Sequence, residues 1–272
     1  MCANHNGDIE TARKMINQAA SLGVAGVKFQ KRDIDNLPDE MKNRKVSGQN
    51  YFSDNYYEHK KTLEFDIKQI RELCDHAESL GLIFQCTPFD KKSYDELIEY
   101  GIRNIKLASQ YYSNQYFKEL IMNEKEDKGI HVAVSTGMHT VDEICDNSWM
   151  NYADIVYYCV SLYPAMMQQM NFETMRYMSS RLGPRLGFSS HEVDGQAIKY
   201  AVAIGAKYIE RHYTLDKNMR GHDHAASSDF AEMERIITEI NEVEGVLGEM
   251  KNILQEPESV IREKYKWCWN YA

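Results

Sequence analysis

The stretch "KSYDELIEYGIRNIKLAS", residues 92–109, decides the fold. Its first half reads as a helix that stops at Gly101. Its second half is a short apolar strand ending in Lys106 and Ser109. The same unit recurs on both sides. Upstream, "DIETARKMINQAASLG" (8–23) has apolar residues at helical spacing and a terminal glycine. It leads into "VAGVKFQ" (24–30), short, apolar and β-branched as a buried parallel strand should be. A helix over 64–81 leads into a strand over 82–87, and a helix near 114–124 into "IHVAVST" (130–136). Further on, strands over 154–161, 185–191 and 206–212 alternate with helices over 140–147, 195–205 and 229–250. Residues 31–62 are polar and irregular, and a loop this long in a compact domain usually carries function.

Right-handed βαβ units in series build either a doubly wound sheet or a closed barrel. In a barrel, functional groups project from the carboxyl ends of the strands. Polar residues fall there repeatedly: Lys28 and Gln30, Thr87, Lys106 and Ser109, Ser135 and Thr136, Ser161, Ser189 and His191, Glu210 and His212. An open sheet would split them between two sides of a switch point, so their recurrence favours one rim. The expected fold is α/β, a (β/α)8 TIM barrel over residues 1–250, with 251–272 as a C-terminal tail or the start of a linker. An eighth strand should precede the first helix, where only "MCANHNG" stands. The first strand is therefore expected to be truncated, in an incomplete barrel or in a chain cut from a longer one. Residues 1–7, or the alternating Tyr265, Trp267, Trp269 and Tyr271, are the candidates to fill the gap.

Composition narrows the function. The formal net charge of −9 argues against general nucleic-acid affinity, which needs a basic face. It leaves room for an anionic small substrate held by a few local lysines. The six cysteines form no CxxC pair, and their scatter suits reduced thiols in the cytoplasm. No run of ~18 apolar residues is present to span a membrane, and no signal peptide is recognisable.

His191 and His212 end two adjacent strands, 21 positions apart, within reach of one ion on a shared rim. Imidazole is a common ligand for divalent first-row metals. On position alone, ligation and two separately hydrogen-bonded histidines both remain open. His222 and His224 flank Asp223 on a glycine-containing loop, and solvated loop histidines explain that motif equally well. Lys28 and Lys106 each close an apolar strand, where an unpaired charge is costly, so each needs an anion or a carboxylate. With Thr87, Ser109, Ser135 and Ser189 nearby, the rim suits a phosphate or a phospho-carboxylate. Two structural salt bridges are the plainer alternative.

"NHNGDIETARKMI", "VKFQKRD", "YYEHKKTLEF", "TPFD", "IKLAS", "STGM", "LYP", "GFSSHE" and "IERHYTLDKNMRGHDHAAS" occur in one order. In that set and order the chain resembles the N-acetylneuraminate (sialic acid) synthases, over about residues 4–250. The resemblance implies a metal-dependent transferase of carbohydrate biosynthesis. Such an enzyme condenses phosphoenolpyruvate with an N-acetylated aldose, N-acetylmannosamine or its 6-phosphate, to a nine-carbon 2-keto sugar acid and phosphate. It implies manganese or magnesium on His191 and His212. It also implies phosphoenolpyruvate contacts at Lys28, Thr87, Lys106, Ser109, Ser135, Tyr163 and Ser189, with Ser161 in a place held by Asn or Ser. Sugar-side and acid–base roles fall on Glu210 and Asp223, while His222 and His224 are not carried over as ligands.

The chain departs from that pattern in four places. A glutamate that the family carries a few residues before "NH" is absent. Strand one is mostly missing. The antifreeze-like cap domain, through which the family dimerises by swapping, does not follow the barrel, so a homodimer is an expectation carried by the resemblance alone. Gln110 and Tyr111 stand where the family has a small residue and an acid that helps to hold the sugar. The phosphoenolpyruvate half thus matches and the acceptor half departs. A barrel or scaffold subunit that binds metal and phosphoenolpyruvate with impaired catalysis is the alternative reading. A metal-dependent hydrolase or aldolase fits less well, because two rim lysines favour an anionic substrate.

Overall fold

The computed structural model describes residues 1–248 and 255–266. Its parallel strands are β1 (Gly26–Lys31), β2 (Ile83–Pro88), β3 (Asn104–Leu107), β4 (His131–Ser135), β5 (Ile155–Cys159), β6 (Leu186–Ser190) and β7 (Tyr208–Arg211). They pair in chain order into one sheet. Lys28 on β1 lies 2.8 Å from Glu210 on β7, so the sheet curls until its two outer strands face each other. Helices between the strands cover the outside, which makes this the TIM-barrel arrangement with seven strands among the described residues.

Strand alternation sorts the side chains. Phe29, Phe84, Ile105, Val134, Val156 and Phe188 point outward under the helices and are almost wholly buried. Each contributes about 1.5–3 kcal/mol of burial. Their neighbours along each strand point into the barrel: Lys28, Thr87, Lys106, Ser135, Ser189 and Glu210. Pairing holds these in layers, with Gln30 opposite Thr87 and Ser189 opposite Glu210. A period of two therefore puts an apolar wall against the helices and polar groups in the lumen.

Local sequence sets the helices. Asp66 and Gln69 form a capping box at the start of the helix Ile67–Ser79, and Asp90 accepts from the Ser93 amide to start Lys91–Glu99. That second helix buries Tyr94, Leu97 and Ile98 on one face. Several helices were not legible beforehand. Residues 31–62 contain the helices Asp39–Lys42 and Tyr56–Leu63, the latter capped by Asn55. The helix Phe172–Leu182 stands between β5 and β6, where the side chain of its N-cap Asn171 donates to Thr174 Oγ1 at 3.0 Å and accepts no backbone amide.

Between β1 and β7 lies a gap that residues 1–7 bridge at its upper end. The Met1 amine donates to Lys28 O at 2.8 Å. Asn4 Nδ2 donates to Tyr213 O and to Ser227 Oγ, both at 2.8 Å. His5 stacks on Phe65 at 4.2 Å. Below them a cavity of about 470 Å³ runs between the strands, walled by Val27, Ile209, Leu22 and Ile236 among others. Residues 1–7 therefore fill part of the expected gap. The aromatic tail is not seen doing so. Tyr265 ends the helix Glu256–Tyr265 and is half exposed, while Trp267, Trp269 and Tyr271 lie outside the described residues.

Candidate active site

The carboxyl ends of the strands surround a second cavity, of about 320 Å³. One end is built around Glu210. Its Oε2 lies 2.8 Å from Lys28 Nζ and 2.9 Å from Lys106 Nζ, and Ser189 Oγ donates to its Oε1 at 2.8 Å. Lys106 is 1% exposed and rests 3.9 Å above the ring of Tyr157. That ring lies flat because β6 offers Gly187 beneath it, where a Cβ would come within 2.6 Å of Tyr157 Cδ1.

The charges do not balance. Two ammonium groups share one carboxylate, leaving a net positive charge in a buried place, which an anion would relieve. Burial alone would push the Glu210 carboxyl up, but Lys106 and Lys28 hold it well below the usual range. Burial opposes the charge on Lys28, and Glu210 outweighs it, so that lysine is raised. Lys106 is fully desolvated and only partly compensated by Glu210, which brings it down to about 8. Thr87 Oγ1 faces the same space, buried and without a partner, a donor awaiting an acceptor. Ser109 and Ser135 complete this wall.

The other end carries the imidazoles. His191 Nδ1 lies 2.7 Å from Val160 O, which can only accept, so Nδ1 carries the proton and Nε2 offers a lone pair. Burial, then His212, lowers His191 to about 4 and keeps it neutral. The His212 ring centroid lies 5.6 Å from that of His191, with Tyr163 against both. His212 Nδ1 is buried without a hydrogen-bond partner, 3.8 Å from Asp223 Oδ2. A neutral, oriented imidazole beside an orphaned buried ring nitrogen fits a divalent cation.

Of the residues singled out by sequence, Lys28, Thr87, Lys106, Ser109, Ser135, Tyr163, Ser189, His191, Glu210, His212 and Asp223 all line this one cavity. Ser161 is not among the lining residues. Gly137 stands against it, so close that a Cβ there would meet Ser161 Oγ at 2.2 Å and Ser109 Oγ at 2.8 Å. Gln110 is exposed, and Tyr111 turns outward to donate to Phe89 O and pack on Phe117. His224 is structural, its Nδ1 2.7 Å from Thr214 Oγ1.

Sequence reasoning missed Cys2, Arg32, His59 and Lys60, which line the cavity too, as does His222, set aside there as a ligand. His59 and Lys60 lie in "YYEHKKTLEF", a run noted for its pattern but not for any role. Burial lowers Lys60 to about 8, and the segment 31–62 thus places groups at the site, as its length suggested.

A curled parallel sheet that gathers two lysines, a carboxylate, hydroxyls and two imidazoles at its carboxyl rim is a TIM-type barrel with a site for a small anion. Comparison with known proteins narrows this further: the NeuB family matches residues 15–252, and the chain belongs to it. It is 31% identical over 275 residues to the N,N'-diacetyllegionaminic acid synthase of Legionella pneumophila, covering 95% of this chain and 75% of that one. The human N-acetylneuraminate-9-phosphate synthase is 32% identical over 274 residues, covering 96% and 73%. Among solved structures, the N-acetylneuraminic acid (sialic acid) synthetase of Leptospira borgpetersenii in complex with citrate superposes with a TM-score of 0.82. It is 26% identical, over 99% of this chain and 90% of that one.

Proposed function

We propose that this chain condenses phosphoenolpyruvate with the aldehyde of an N-acetylated amino sugar, giving a nine-carbon 2-keto sugar acid and inorganic phosphate. The observation that carries this is the surplus positive charge of Lys28 and Lys106 around Glu210, beside His191 and His212 in one cavity. Lys28, Lys106 and the hydroxyls of Thr87, Ser109, Ser135 and Ser189 bind the phosphate and carboxylate. They fix the methylene carbon of phosphoenolpyruvate toward the aldehyde. A divalent cation, manganese or magnesium by family resemblance, bound at His191 and His212 would act as a Lewis acid on the aldehyde oxygen.

The methylene carbon forms the new bond to the aldehyde carbon, and the aldehyde oxygen takes a proton. Water adds to the positive C2 and loses a proton. The resulting intermediate then breaks its C2–O bond to phosphate and becomes the ketone. Glu210, ionised and held by two lysines, is suited to stabilising charge rather than giving up a proton. Asp223, 30% exposed beside His212, is better placed to move one. The cytoplasm, where phosphoenolpyruvate is available, suits the reaction, and Cys2, Cys74, Cys86, Cys145 and Cys159 are all free thiols.

Gln110 and Tyr111 do not line the cavity, and Tyr111 is spent on Phe89 O, which favours a second reading, a barrel that binds phosphoenolpyruvate and metal without turnover. A phosphate-release assay separates the two. Release from phosphoenolpyruvate only when N-acetylmannosamine, or another N-acetylated aldose, and manganese are both present supports the synthase. Binding of phosphoenolpyruvate with no release for any such acceptor overturns it.

A further inference from the structure

Six cysteines are spread along the chain; Cys2 and Cys159 line the polar cavity, and of these Cys2 lies beside His212. Its backbone sits at φ 47°, a left-handed conformation that a side chain bearing Cβ rarely adopts. The thiol is nevertheless held there, 5% exposed, at the wall of the polar cavity. Gln30 Nε2 donates to Sγ at 3.3 Å, and His212 Nε2 lies 4.0 Å away. Sγ of Cys2, a ring nitrogen of His212 and a carboxylate oxygen of Asp223 all fall within 4.8 Å of one another. Sulfur, nitrogen and oxygen donors from three separate segments thus converge on one point, beside the orphaned His212 nitrogen.

We propose that Cys2 and Asp223 join His212 as ligands of the cation, and that the site therefore takes a thiophilic divalent metal, zinc, cobalt or iron(II), in preference to magnesium or manganese. This deepens the reading of His191 and His212 as metal-binding and rests on it. A thiolate is a soft donor and favours zinc-like ions, whereas magnesium and manganese favour oxygen. Binding releases the thiol proton.

Cobalt(II) titration of the whole chain tests this without any assay of turnover. The expected result is a near-ultraviolet thiolate-to-cobalt charge-transfer band that saturates with the metal. Cys2→Ser should lose the band, while Cys159→Ser, which alters the other cavity thiol, should keep it. Loss of an outer-shell partner alone costs about 10–100-fold in metal affinity, so zinc affinity in Cys2→Ser should fall by about 100-fold. Manganese affinity should change by less than about threefold, since manganese gains little from sulfur. Cobalt binding in the wild type with d–d bands but no charge-transfer band overturns the Cys2 ligand and leaves the two-histidine site standing. Absence of cobalt, zinc and manganese binding in the wild type overturns both. The wild-type spectrum decides the matter even if Cys2→Ser fails to fold.

Discussion

The two ends of the cavity are made differently. The anion end stands on strand residues in register: Lys28, Lys106, Ser189 and Glu210, locked by bonds of 2.8 to 2.9 Å. The imidazole end stands largely on residues just past the strands and on loops: His191, His212, Tyr163, Asp223 and Cys2. There His191 is fixed by Val160 O, but His212 lies 3.8 Å from Asp223 and 4.0 Å from Cys2, and its Nδ1 has no hydrogen-bond partner. The first end is preorganised around a carboxylate already present, and the second is open to a group not yet bound. An anion has to compete with Glu210 for two lysines, whereas a cation entering the other end meets only the looser His212–Asp223 pair at 3.8 Å.

The sharpest way to break this contrast is His191→Ala. If the imidazole end holds a cation that serves the chemistry, turnover should fall by about a thousandfold, several kcal/mol. Phosphate release with manganese measures it. Unchanged manganese-dependent release would remove His191 from the site.

Next comes Lys106→Met. A hydrogen bond to a charged group is worth about 1.5–3 kcal/mol, so phosphoenolpyruvate affinity should drop by roughly 10–150-fold by calorimetry. Equal binding by wild type and variant would place the anion elsewhere. Gly187→Ala probes the same end from beneath. Its new methyl group collides with Tyr157, the ring under Lys106. Overpacking costs about 1–3 kcal/mol, and a melting temperature and phosphoenolpyruvate affinity both equal to wild type would show that Tyr157 gives way freely.

A difference in proton affinity follows from the same geometry. Lys106 is lowered to about 8 and Lys28 is raised. Binding requires the ammonium form, and Lys106 loses it as pH rises through 8 while Lys28 keeps it. The phosphate is already dianionic above a pKa of about 6 and adds no change of its own in this range. Affinity should therefore be flat below pH 8 and fall above it, by at most about tenfold per pH unit. Calorimetry between pH 7 and 10 reads it, and a flat profile throughout would mean that Lys106 stays charged.

How much was legible in the sequence follows the same division. Strand-borne groups announce themselves, because a polar residue ending an apolar run has one rim to point to. Lys28, Thr87, Lys106, Ser135, Ser189 and Glu210 were found in this way, and the parallel barrel came with them. Lys60, His59 and Cys2 come from segments without a period, so only the folded chain shows where they reach. Charge bookkeeping was also out of reach. Glu210 looked like a proton carrier until its two lysines were seen on the same oxygen.

Ser161 was reached by the same rule but does not line the cavity, and it gives the smallest expected effect. It follows β5 by two residues, at the position that would continue the inward set of Tyr157 and Cys159 by one more step of two. The count suggests the rim, but β5 ends at Cys159 and the chain leaves the strand geometry there. Gly137, after β4, packs against the Ser161 hydroxyl and leaves it off the cavity wall. Ser189, still within β6, keeps its direction and donates to Glu210. Ser161→Ala should therefore change phosphoenolpyruvate affinity by less than about threefold, a few tenths of a kcal/mol as for a residue outside the contact set. Ser189→Ala should weaken it by about tenfold, the worth of one hydrogen bond to a charged group at the low end of its range. Titrating both variants beside the wild type compares the two serines directly. A loss in Ser161→Ala as large as that in Ser189→Ala would mean that the loop after β5 swings its hydroxyl into the anion end when substrate binds. The contrast between fixed strand and open loop would then have to be redrawn.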